Sequence, residues 1–191
     1  MNRLIHVPAG LESKQLQRVA AYNSRLVEIE KRQQAIAKES IALTTRDDLP
    51  ADQLDSEGRR LAFESHELHR EALALQPERV AILDDLAKIT ADRVANAEQQ
   101  LEQTKARVER SLRKSGFSPE TDPIFAANPE GARAKLQYQI RQSSDVRAAA
   151  DLLADAQGEQ KQIRQQIHQL QTIAADLREQ LHRANSRLLR L

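Results

Sequence analysis

The sequence predicts an all-α protein, an elongated antiparallel coiled coil with a three-helix bundle at one end and a two-helix hairpin at the other. Periodicity is the first reason. Apolar residues fall at Ile163, Ile167, Leu170, Ala174, Leu177, Leu181, Ala184, Leu188 and Leu191, at intervals that alternate between four and three. That is a narrow seam with a mean repeat of about 3.5 residues, as used when one helix packs its side chains into another. Composition is the second. Aromatics make up 3% of 191 residues, tryptophan is absent, glycine occurs five times and charged residues reach 30%, a bias toward long helices rather than a thick mixed core. The third is punctuation, since prolines and glycines cluster at few places and leave long uninterrupted runs between them.

Taken in order, residues 1–10 read as a short leader closed by Pro8 and Gly10, and residues 11–191 as a single elongated helical domain. The first helix is expected over about 11–44, with Val19, Tyr22, Leu26, Ile29, Ile36 and Leu43 on one stripe and polar Gln33 and Ser40 within it. Polar groups on such a stripe weaken packing but fix register. Asp47 to Pro50 marks a turn, with Asp48 as a candidate cap. The second helix is expected over about 50–114. It carries one seven-residue ladder, Leu54, Leu61, Leu68, Leu75, Ile82 and Ile89, and a second one, Leu73, Val80, Ala87, Val94, Leu101 and Val108. Two ladders imply two packing neighbours, with the change of face near residues 73–89.

Pro77 interrupts the second helix, because proline removes a backbone donor and clashes with the preceding turn at a cost of about 3 kcal/mol. A kink near 77 follows. Ala72 to Ala81 resembles the junction between tetratricopeptide repeats. An array of period about 34 would need matching prolines, whereas positions 43 and 111 are Leu43 and Ser111, so the resemblance stops at ten residues. A tip loop over 115–128 follows, and Asn128 before Pro129 reads as an N-cap with proline at the first helical position. The third helix then runs over about 129–191. Arginines near its end, Arg178, Arg183, Arg187 and Arg190, are expected beside the acidic stretch Asp47 to Glu71.

Chemistry-bearing motifs are sparse. Without cysteine there are no disulfides or thiolate ligands. His66-Glu67-Leu68-His69 puts two imidazoles three residues apart on one helix face, and His182 from the third helix would be a further ligand. The spacing is not the His-Glu-x-x-His of zinc peptidases, and the expectation is solvated histidines with no metal and no cofactor. Adjacent Asp84 and Asp85 point about 100° apart on a helix, so they do not form an acid/base pair. With no Gly-rich phosphate loop and no Ser/His/Asp grouping, the chain reads as a non-enzyme, and a metal-dependent helical-bundle enzyme is the remotest alternative.

Net charge is +1, and basic stretches such as Lys105 to Lys114 are interleaved with acids, where phosphate binding wants a sustained basic face. A nucleic-acid or nucleoid-associated coiled coil is therefore the runner-up. No apolar run approaches the roughly 18 residues of a membrane span, and Met1 to Gly10 lacks a basic stretch followed by an apolar one. The expectation is a soluble, cytoplasmic protein with no membrane insertion. The tip holds Phe117, Ile124 and Phe125, either as a plug on the hairpin end or as an apolar patch for a partner. The functional expectation is an adaptor, scaffold or assembly factor that acts through a protein partner, through these three residues, and through self-association as a homodimer.

Overall fold

Helix α1, Ser13–Thr44, begins where the Glu12 N–H donates to Gln15 Oε1 at 2.9 Å. It buries Val19, Tyr22, Leu26 and Ile29, four positions of the expected stripe. The computed structural model describes residues 4–46, 49–124 and 128–188, with side chains through Ser186. Asp48 lies outside the described residues, as do Leu191 and the side chain of Leu188. The remaining helices are α2, Ala51–Ala74; α3, Gln76–Lys114; α4, Pro129–Gln142; α5, Ser144–His168; and α6, Leu170–Leu188, with a 3₁₀ turn at Pro119–Thr121. No strand occurs among the described residues, and no helix among them is long and apolar enough to cross a membrane.

The chain forms two compact units, one from Met1–Leu86 with Ile163–Leu191 and the other from Ala87–Gln162. The division at Leu86 falls inside the zone where the two ladders of the sequence exchange. In the first unit, Leu61, Leu68, Leu75 and Ile82 of the first ladder are buried, and α2 packs against both α1 and α6. In the second unit, Val94, Leu101 and Val108 of the other ladder are half-buried, while Thr90 and Thr104 on the same helix are buried. Leu136, Ile140 and Val146 supply the opposing core.

The expected kink near Pro77 is a break at Leu75. Pro77 has no N–H for Leu73 O, its acceptor in an unbroken helix, and the Leu75 N–H reaches both that carbonyl and Glu71 O. The Arg79 N–H then resumes the ladder on Leu75 O at 3.0 Å.

The expected third helix over 129–191 is divided twice. At Ser143, ψ is 133°, and its C=O accepts from the Arg147 N–H at 3.0 Å, so it starts α5 as it ends α4. Gln169 interrupts the run again, although Gln169 and Ile173 keep their helical bonds to Gln165 and Gln169. Beyond that point the inward stripe departs from the expected seam at one position, with Ile173 in place of Ala174. Ile173, Leu177 and Ala184 are buried, while Ile167, Leu170, Ala174 and Leu181 of the expected seam are half-buried. Burying the larger Ile173 in place of Ala174 removes more apolar area from water.

Residues 4–11 lie against the first unit. Ile5, Pro8 and Leu11 are buried. Asn23 accepts from the Ile5 N–H at 2.8 Å and donates to Ile5 O at 3.0 Å. Gln166 accepts from the His6 N–H at 3.1 Å and donates to Leu4 O at 2.8 Å. Two side-chain amides thus grip one extended segment, each satisfying a backbone donor and acceptor that burial would otherwise penalise.

Among the described residues, which leave out Asp47, Asp48, Arg190 and the side chain of Arg187, the charge ladder runs between α1 and the α2–α3 side. Arg18, Arg25 and Arg32, spaced by seven, meet Asp85, Glu78 and Glu71 at 2.7, 3.4 and 3.9 Å, and Glu39 meets Arg60 at 3.2 Å. In the expected α6 cluster, Arg183 pairs within its own helix with Glu179. Each exposed rung contributes about 0–1 kcal/mol, so the ladder sets register more than stability. Reversing one rung with Arg18→Glu is expected to cost under about 1 kcal/mol, and adding Asp85→Arg to restore it. Melting curves at low salt check this. Absence of recovery in the double variant removes the pair from the register.

Candidate functional site

The tip is built outward from the end of α3. Gly116 has φ 85°, a left-handed conformation that L side chains avoid. There its N–H donates to Arg113 O at 3.1 Å and the Phe117 N–H to Leu112 O at 3.0 Å. This pair of bonds is the Schellman closure, whose companion is an apolar contact between the residue after the glycine and the helix's last turn. Phe117 and Leu112 both pack against the Leu136, Ile140 and Val146 cluster. Phe117 is half-buried and belongs to the local core.

Polar contacts shape the rest of the loop. Pro119 is buried, the Thr121 hydroxyl donates to Ser118 O at 2.9 Å, and the Ile124 N–H donates to Asp122 Oδ1 at 3.0 Å. Lys135 stands 3.6 Å from Asp122. Arg113 reaches Glu109 and Glu120, at 3.0 and 3.1 Å, and these carboxylates raise its pKa. Glu120 is lowered from the ordinary carboxylate value, first by a bond from its own backbone N–H and then by Arg113. A lowered folded pKa stabilises above the unfolded value, and that contribution is lost as pH falls through the folded one. Asn128 Oδ1 accepts from the Gly131 N–H at 2.9 Å, capping α4 behind Pro129 as expected.

In this tied loop Ile124 is 79% exposed. Of the three residues expected to bind a partner, Ile124 faces solvent, Phe117 is rooted in the hairpin, and Phe125 lies outside the described residues. Tyr138 and Leu152 of the same unit are also exposed. Their apolar character was legible, but both stand off the main stripe, where sequence periodicity assigns no neighbour.

A Cβ added at Gly116 meets nothing within 4 Å, so strain alone decides its substitution. Gly116→Ala is expected to cost about 1–2 kcal/mol, whereas Gly158→Ala, inside α5 with open space around it, should gain about 0.5–1 kcal/mol. Urea unfolding of both variants checks the contrast. Equal stabilities would remove the closure.

The structure separates the histidines that sequence spacing grouped. His69 Nδ1 lies 2.6 Å from its own helix at Ser65 O. His66 instead shares a depression with His182, Arg178, Leu181 and Asn185. No group of three His, Cys, Asp or Glu residues that could hold a metal occurs among the described residues. Comparison with known proteins places the chain beside none of them: no family model, curated protein or solved structure matches it.

Proposed function

We propose that this protein is a non-enzymatic coiled-coil adaptor, scaffold or assembly factor of the cytoplasm that acts through protein–protein contact and self-association as a homodimer. The observation that carries the reading is Ile124. A loop fastened by a helix-closing glycine, a buried proline and two ion pairs holds a branched apolar side chain 79% in water. Apolar side chains presented in this way are the anchors that dominate binding energy when they enter a partner's pocket. Val94, Leu101 and Val108, half-buried in their own unit, offer on their remaining exposed surface a stripe that a second copy would cover.

Phosphate contact supports the runner-up reading less well, since Arg18, Arg25, Arg32, Arg60, Arg93, Arg107 and Arg113 are engaged by carboxylates. Ion-paired arginines release fewer counterions to a polyanion.

Sedimentation from about 1 μM to 1 mM tests the proposal. The parent is expected to pass from monomer to dimer, and Ile124→Ser to dimerise at least tenfold more weakly with a melting transition changed by less than about 0.5 kcal/mol. A monomeric mass throughout overturns self-association. Unchanged dimerisation of the variant removes Ile124 from the contact, and duplex DNA binding that persists at 0.15 M salt favours the nucleic-acid reading.

A further inference from the structure

A second feature stands apart from the tip, on the face where α2 meets α6. There a depression of about 290 Å3 is lined by His66 from α2 and by Arg178, Leu181, His182 and Asn185 from α6. The α6 residues recur at three- and four-residue intervals, which places them on one helix face. Four of the five lining side chains carry nitrogen donors and none is a carboxylate. The acids nearest in sequence are occupied elsewhere, Glu67 by Arg70 at 3.0 Å and Glu179 by Arg183. His66 Nδ1 is buried and finds no hydrogen-bond partner among the described residues, in contrast to His69 Nδ1 beside Ser65 O. Buried nitrogens left unsatisfied are uncommon in folded chains.

We infer that this depression is an oxyanion site whose ligand is phosphate, free or as the monoester group of a small molecule. A guanidinium gives two parallel donors that match a tetrahedral oxyanion, and charge-assisted bonds of this kind are about twice as strong as neutral ones. Arg178 supplies that fork. The His66 and His182 rings and the Asn185 amide supply single donors around it, and Leu181 lines part of the wall. A divalent cation is the wrong occupant, because it would sit beside a fixed positive charge with no carboxylate to neutralise it.

The test is a titration of the full chain, with histidine rings labelled for NMR, by inorganic phosphate and separately by phenyl phosphate, at constant ionic strength against sodium chloride. Saturable movement of the His66 and His182 ring signals is expected, with His69 unmoved. Arg178→Gln should weaken the affinity at least tenfold while leaving the melting transition in place, and Asn185→Ala should weaken it to a smaller extent. Tighter phenyl phosphate points to an organic monoester, and equal affinity to free phosphate. Movement reproduced by chloride, movement that does not saturate, or full affinity in Arg178→Gln overturns the site. Zinc ions shifting the same signals where phosphate does not would replace it with a cation site. If Arg178→Gln unfolds, Asn185→Ala carries the same decision at a position that is exposed.

Discussion

Leu177→Ala is expected to lower the stability of the protein by about 2–5 kcal/mol, the range for removing a leucine from a packed interior that relaxes only in part. Leu177 is 1% exposed on α6, the helix that packs on α2. The neighbouring Leu181→Ala removes the same atoms from a half-buried site and should cost less than half as much. For a chain of this length each kcal/mol corresponds to about 2–4 °C of melting temperature, so heat and urea denaturation both resolve the pair. A Leu177 shift under about 0.5 kcal/mol would take α6 out of the core and with it the helix packing described above.

Arg79 is expected to separate size from charge. Its side chain is 0% exposed in the first turns of α3, where a guanidinium has given up hydration that only close compensation can replace. Arg79→Ala removes both the compensated charge and the volume of a long side chain, and should cost about 3–5 kcal/mol. Arg79→Met keeps the apolar length and deletes the charge. Replacing buried charge by apolar volume is often neutral or stabilising, so this variant should stay within about 1 kcal/mol of the parent in urea unfolding. A methionine variant as unstable as the alanine one would show that the guanidinium itself holds the unit together.

The parts of the structure legible in the sequence are those governed by local periodicity and punctuation. The first helix over 11–44, the Asn128–Pro129 start, the disturbance near Pro77 and the exchange between the Leu54 and Leu73 ladders follow from spacing and from residues with singular backbones. The break at Ser143 has no sequence signal because the apolar run Leu136, Ile140, Val146 and Ala149 continues across it, and a break that preserves the stripe leaves little trace in periodicity. The shift from Ala174 to Ile173 is silent for the same reason, as either choice satisfies a three- or four-residue interval. At the tip, the choice between the two readings of Phe117 depends on Gly116 closing the helix beside it, although Leu112, Gly116 and Phe117 carry the spacing of that closure. The arginine rungs at 18, 25 and 32 were present as a repeat of seven, yet choosing their partner helix takes tertiary contacts. The same holds for Asn23 and Gln166, whose grip on residues 4–6 has no local signature, whereas the approach of His182 to His66 expected from the sequence recurs as two parts of one depression's lining.

The amide grip of Gln166 on Leu4 and His6 bears on the order in which the chain takes shape during synthesis. Residues 4–86 lack the α5 and α6 segments that finish their unit until the stretch Ala87–Gln162 has emerged. At about 5–20 residues per second the delay lasts several seconds, during which the apolar faces of α1 and α2 stay short of a neighbour. Ala87–Gln162 is continuous in sequence and needs nothing translated later. The hairpin unit is therefore expected to acquire hydrogen-exchange protection first on the ribosome, and the amino-terminal segment to be fastened last.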